Sequence, residues 1–151
     1  MCQRVYIASS VELPRLARGK TSPYLDVTPA ARPEVRSLLR PDLPFLYLAG
    51  GHVECGCGFP SETVDSRPDP PKLSRADLAS LAALAEYLRP ACPKYATIQL
   101  YLCWAGREGE ASGSRRSVSL DDLRQSGFRL KHHEILTVGR NLDVRRRRTR
   151  G

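Results

Sequence analysis

Hydrophobic positions along the chain form short runs that predict strands. In residues 3–9, Val5 and Ile7 alternate with Arg4 and Tyr6, and residues 95–104 alternate in the same way. Residues 45–49 are apolar without interruption, which indicates a strand buried on both faces. Residues 128–138 supply one or two closing strands.

Helical spacing is clearest after Ser74. This serine can cap a helix, Asp77 follows three positions later, and Pro90 stops the run. The apolar positions with helical spacing are Leu78, Leu81, Ala82, Ala85 and Leu88. The prolines between Leu13 and Pro44 permit only short pieces there, namely an extended stretch at 24–27 and helical turns at 34–39. A short helix starts at 119–122, and 105–117 reads as a polar loop.

These elements predict a single α+β, or small α/β, domain over residues 1–143. It should hold a mixed sheet of about four to five strands and one main packing helix. A right-handed crossover through the helix would make strands 45–49 and 95–104 parallel, so that their carboxyl ends share one edge of the sheet. If the first strand is antiparallel to either of them, its start at Cys2 reaches the same edge.

The net charge of +8 is concentrated at the end of the chain. Residues 144–151 contain five arginines and no acid, and we expect this tail to be disordered by self-repulsion. The arginines are Arg145, Arg146, Arg147, Arg148 and Arg150. They are candidates for weak contact with nucleic acid or an acidic partner. The domain itself has no basic stripe interleaved with aromatic residues.

The hydrophobic pattern also indicates where in the cell the protein is located. No apolar run approaches the ~20 residues that span a bilayer, and residues 1–7 lack the apolar core of a secretory signal. We therefore expect a cytoplasmic protein that does not enter the membrane. Its five cysteines are an odd number, which favours reduced thiols over a disulfide framework.

Candidate chemistry is concentrated in residues 50–59, where two thiols and an imidazole lie within six positions on glycine-rich backbone. Cys55, Cys57 and His52 are residue types that bind soft metals, and we expect one of Cys2 or Cys103 to complete a tetrahedral zinc site. The spacing is C-x-C, whereas structural zinc sites usually use C-x-x-C pairs. The predicted function is accordingly a structural or regulatory Cys/His metal-binding domain.

Three alternatives remain open from the sequence. Cys55 and Cys57 could act as a dithiol, or one could be a nucleophile activated by His52. Removal of Met1 would leave Cys2 as an amino-terminal nucleophile, with the α-amine as its base. Nucleic-acid association through the arginine tail is the third alternative. The remaining interpretation is an ordinary glycine turn whose thiols have no function.

Four motifs carry a family resemblance. They are Met-Cys-x-Arg-Val-Tyr in residues 1–6, Gly-His-x-x-Cys-Gly-Cys-Gly-Phe in 51–59, Cys-Trp-x-Gly in 103–106 and Glu-Ile-Leu-Thr-Val in 134–138. The chain resembles a group of small, uncharacterised bacterial proteins with the same order of motifs across most of the length outside the tail. The resemblance implies a single cytoplasmic domain and no known activity.

Overall fold

A computed structural model describes residues 2–53, 55–62, 74–92, 96–110, 113–125 and 127–139. These residues form a single α+β domain with a mixed six-stranded sheet, a two-stranded sheet and three α-helices. The large sheet contains β1 (Gln3–Ser9), β2 (Asp26–Pro29), β3 (Phe45–Gly50), β5 (Ile98–Trp104), β6 (Arg115–Ser119) and β8 (Ile135–Gly139). The small sheet pairs β4 (Ser61–Glu62) with β7 (Leu130–Lys131). The helices are α1 (Pro33–Arg36), α2 (Arg75–Leu88) and α3 (Leu120–Leu123).

The strand order places β1 in the middle of the large sheet. The order is β2-β3-β1-β5-β8-β6, and β1 is antiparallel to both β3 and β5. The strands β3 and β5 are therefore parallel to each other, as predicted, although β1 lies between them. Their carboxyl ends and the start of β1 meet at one edge of the sheet. This edge is where the candidate site lies.

Both faces of the sheet are buried, which explains the nearly continuous apolar strands. On one face Val5 and Ile7 pack with Leu81, Leu84 and further apolar residues of α2. On the other, Tyr6 and Ala8 pack with the residues of α1 and the segment that follows it. The helix α2 begins as predicted, because the Ser74 hydroxyl accepts the Asp77 amide and the Asp77 carboxylate accepts the Ser74 amide.

The prediction of four to five strands was too low. The strand β6 falls partly in the segment predicted as a polar loop, because its Arg115, Arg116 and Ser117 have the polarity of a loop. It lies at an edge of the sheet and pairs parallel with β8 on one side. Edge strands carry polar side chains readily, and such strands lack the hydrophobic alternation used to recognise them.

One prediction concerns a part of the chain outside this description. The arginine tail at 144–151 lies beyond the described residues, so its expected disorder and its binding stay predictions. Within the described ranges, no helix is long and apolar enough to cross a membrane.

Candidate metal centre

The glycine-rich segment after β3 packs directly on the start of β1. A Cβ atom on Gly56 would lie 2.9 Å from the Gln3 carbonyl oxygen and 3.0 Å from the Val5 nitrogen, so only glycine permits this approach. Gly51 and Gly58 pack against each other just as closely: a Cβ on Gly51 would lie 2.8 Å from the backbone of Gly58, and a Cβ on Gly58 would lie 2.9 Å from the backbone of Gly51. A 3-10 turn at Gly56–Gly58 completes the segment. The residues flanking Gly56 are consequently held beside the amino end of β1.

This packing gathers three thiols from two distant parts of the chain. The Sγ atoms of Cys2, Cys55 and Cys57 all lie within 4.8 Å of one another. In a tetrahedral site with Zn–S bonds of about 2.3 Å, the sulfurs are roughly 3.8 Å apart, so small side-chain rotations would close this group around one ion. Cys2 and Cys57 are exposed and Cys55 is half-buried. The group could therefore hold a metal ion that is accessible to solvent.

Two of the three sulfurs accept backbone hydrogen bonds. The Gln3 amide donates to Cys57 Sγ at 3.2 Å, and the Cys57 amide donates to Cys55 Sγ at 3.4 Å. Such bonds stabilise a thiolate more than a neutral thiol and orient the sulfur lone pairs, as outer-shell contacts do in metal sites. The first of these bonds also ties the segment to β1.

The electrostatics of the thiol cluster disfavour a free thiolate. Burial is the main cause that raises the pKa of Cys55 to about 11, and hydrogen bonding to Cys57 and the like charges of Cys57 and Cys2 contribute to this rise. Three adjacent thiolates would repel one another without a cation between them. A bound metal ion would remove this penalty, and its binding would release protons from the thiols.

His52, a predicted ligand, points to α2. Its Nδ1 lies 3.1 Å from the Gly58 carbonyl oxygen and 3.2 Å from Ser80 Oγ, and its Nε2 lies 3.5 Å from Asp77 Oδ1. Its backbone amide also donates to Ser80 Oγ at 2.8 Å. These contacts fasten the glycine-rich segment to the first turns of α2. His52 is not part of the three-thiol group.

Cys103, the alternative fourth ligand, lies at the same end of the sheet as the three thiols but is buried. It is fully inaccessible and packs in the hydrophobic cluster with Tyr6 and Tyr101. Burial, assisted by the negative charge of Glu108, raises the pKa of its thiol to about 12. The structure thus brings together three of the five predicted ligands and places His52 and Cys103 elsewhere.

A cleft of about 260 Å³ borders the thiol cluster, and the sequence did not reveal it. Cys2 and Cys55 line it together with Arg4 and Asp26. Arg4 Nε lies 3.6 Å from Glu108 Oε1, whereas Asp26 Oδ2 lies 2.6 Å from Arg18 Nη2. No local pattern could have found these charges, because they come from separate elements and meet only through strand pairing.

Comparisons with protein-family models, curated proteins and solved structures gave no match to this chain. The resemblance to a group of bacterial proteins therefore gains no support from them. Evidence about function comes from the geometry of the site.

Proposed function

We propose that this protein binds a soft divalent metal, best fitted by Zn²⁺, through the thiolates of Cys2, Cys55 and Cys57. The observation that carries the proposal is the convergence of the three Sγ atoms within 4.8 Å of one another. Thiolates select soft metals over Mg²⁺ and Ca²⁺, which prefer oxygen ligands. Three ligands leave one position of a tetrahedron for water or another molecule.

Metal binding accounts for the site better than thiol catalysis does. A nucleophilic cysteine needs a low pKa, which a nearby cation or imidazole supplies, whereas the pKa of Cys55 is raised to about 11. The His52 ring nitrogens contact Gly58, Ser80 and Asp77, not a thiol that they could activate. In contrast, the hydrogen bonds that backbone amides donate to the Cys57 and Cys55 sulfurs suit sulfurs that carry negative charge in a metal complex.

The ion would have a structural role in this arrangement. Cys2 precedes β1, whereas Cys55 and Cys57 belong to the segment between β3 and α2. A metal bound to all three would cross-link the central strand to this segment. Since such a link exists only in the folded chain, its binding free energy would add to stability.

Cobalt substitution tests the proposal. We expect the metal-free, reduced protein to bind one Co²⁺ with the intense near-ultraviolet absorption of thiolate-to-metal charge transfer. The substitutions Cys2→Ser, Cys55→Ser and Cys57→Ser should each weaken the Co²⁺ affinity by at least about tenfold, because each removes one thiolate ligand. Zn²⁺ added to the cobalt complex should displace the Co²⁺ and abolish the band.

The substitution Cys103→Ala is the matched control, since it removes a thiol that lies outside the group. We expect it to leave the cobalt affinity unchanged. A band that is lost in this control, or a band that persists in all three serine variants, would contradict the assignment of the ligands.

A further inference from the structure

A cleft lies directly beside the thiols of the proposed metal site. Two of the three sulfur-bearing residues, Cys2 and Cys55, line it. Gly56 also lines it, and the absence of a side chain there keeps this wall close to β1. The volume of about 260 Å³ is below the roughly 300–1,000 Å³ of pockets for drug-sized ligands, so the occupant should be a small molecule.

The charges around the cleft favour an anionic group on that molecule. Arg4 is one of the residues that line the cleft, and its side chain is 33% exposed. Its guanidinium contacts Glu108 through Nε at 3.6 Å. Because a guanidinium has five N–H donors, the other nitrogens can bind a second carboxylate. The cleft's own carboxylate, on Asp26, is neutralised by Arg18 at 2.6 Å. Arg4 therefore supplies the cleft lining with a positive charge, which it shares with Glu108.

We propose that the cleft binds a small thiol bearing a carboxylate, with its sulfur on the metal and its carboxylate on Arg4. This inference rests on the proposed metal site. On binding, the incoming thiol loses its proton to solvent and its sulfur forms a bond to the ion. A water molecule leaves the fourth position, and no group is oxidised or reduced. Four sulfur ligands then complete the tetrahedron that Zn²⁺ commonly adopts.

Titration of the Co²⁺-loaded full chain with 3-mercaptopropionate and with 2-mercaptoethanol tests this. Both probes carry a thiol, but only the first carries a carboxylate. We expect each to intensify the charge-transfer band as a fourth sulfur binds. The first should bind about tenfold more tightly, because of a charge-assisted bond to Arg4 at a partly exposed site. Propionate, which lacks the thiol, should not change the band.

The variant Arg4→Gln should remove the preference for 3-mercaptopropionate while Co²⁺ binding itself is unchanged. Arg124→Gln is the matched control, because it also removes one positive charge and one ion pair, with Glu86, and does not line the cleft. It should keep the preference. Equal affinity for the two probes in the unmodified protein, no spectral change, or extraction of cobalt by the thiols would overturn the inference. A chain that binds no Co²⁺ at all would instead refute the metal site itself.

Discussion

Individual cysteines in this protein differ chiefly in burial, which determines their chemistry. Cys2 and Cys57 are exposed beside the half-buried Cys55, whereas Cys103 is fully enclosed. The sequence shows the spacing of thiols but not the solvent around each one. The sequence therefore named the three thiols that meet, among other candidates, but could not choose between Cys2 and Cys103.

The buried thiol of Cys103 should make the metal-free protein sensitive to alkaline pH. Its pKa of about 12 exceeds its ordinary value of 9.0 because of burial and Glu108, with Arg4 acting in the opposite direction. A raised folded-state pKa contributes stability that is complete below pH 9 and is lost as pH rises toward 12. Between pH 9 and 10.5 we expect a loss on the order of 2 kcal/mol from this group.

Denaturant unfolding of the metal-free protein at both pH values measures this loss. Tyr6 and Tyr101, in the same cluster, also have raised pKa values and contribute in the same direction. The comparison with Cys103→Ala isolates the thiol: the variant should be less stable at pH 8 because of a cavity, but it should lose less stability on raising the pH. An identical pH dependence in the two proteins would contradict this account.

Among the secondary-structure elements, the glycine-rich segment is the one whose fit determines the site. Its backbone lies against β1 at Gly56 and is joined to α2 through His52. The sequence indicated a tight turn here, because glycines flank both thiols. It did not indicate which element the turn would pack against, since that depends on the position of β1 in the sheet.

Gly56→Ala should impair metal binding although it changes no ligand. The added Cβ would meet backbone atoms of Gln3 and Val5 at 2.9 to 3.0 Å, and these central-strand atoms cannot easily move. Overpacking of this kind costs about 1–3 kcal/mol, and its relief by shifting the segment should lower Co²⁺ affinity about tenfold.

Gly19→Ala provides the control, because a Cβ on Gly19 would meet nothing within 4 Å. It should bind Co²⁺ as tightly as the unmodified protein. If the two alanine variants have the same affinity, close packing of Gly56 on β1 is not what holds the thiols together.

Across the whole domain, the proposed metal would connect the amino end of the central strand to a segment more than fifty positions later. The hydrogen bond from the Gln3 amide to Cys57 Sγ already makes such a connection. An ion bound only to the folded state stabilises it by mass action. At a free Zn²⁺ concentration 100 times the dissociation constant, we expect a gain of about 2.7 kcal/mol and a rise in Tm of roughly 5–10 °C.

Thermal unfolding with Zn²⁺, and again after chelation, checks this expectation. The Cys2→Ser variant should show a much smaller rise, because the link to the strand is lost while Cys55 and Cys57 remain. Mg²⁺ should have no effect on either protein, since it prefers oxygen ligands. An equal Zn²⁺ response in the variant would place the bound ion away from this cluster.

Local hydrophobic patterns were sufficient to predict β1, β3, α2 and β5, because strand and helix periodicities are written in adjacent residues. They were insufficient for β6, whose polar residues pair through a partner remote in sequence. The inventory of thiols and the glycines around them was likewise apparent in the chain. Which sulfurs meet, and that Arg4 and Asp26 share their cleft, depended on strand order and on the face that each side chain occupies. These are non-local properties that arise only when the sheet assembles, and they directed His52 to α2 and buried Cys103 in the core.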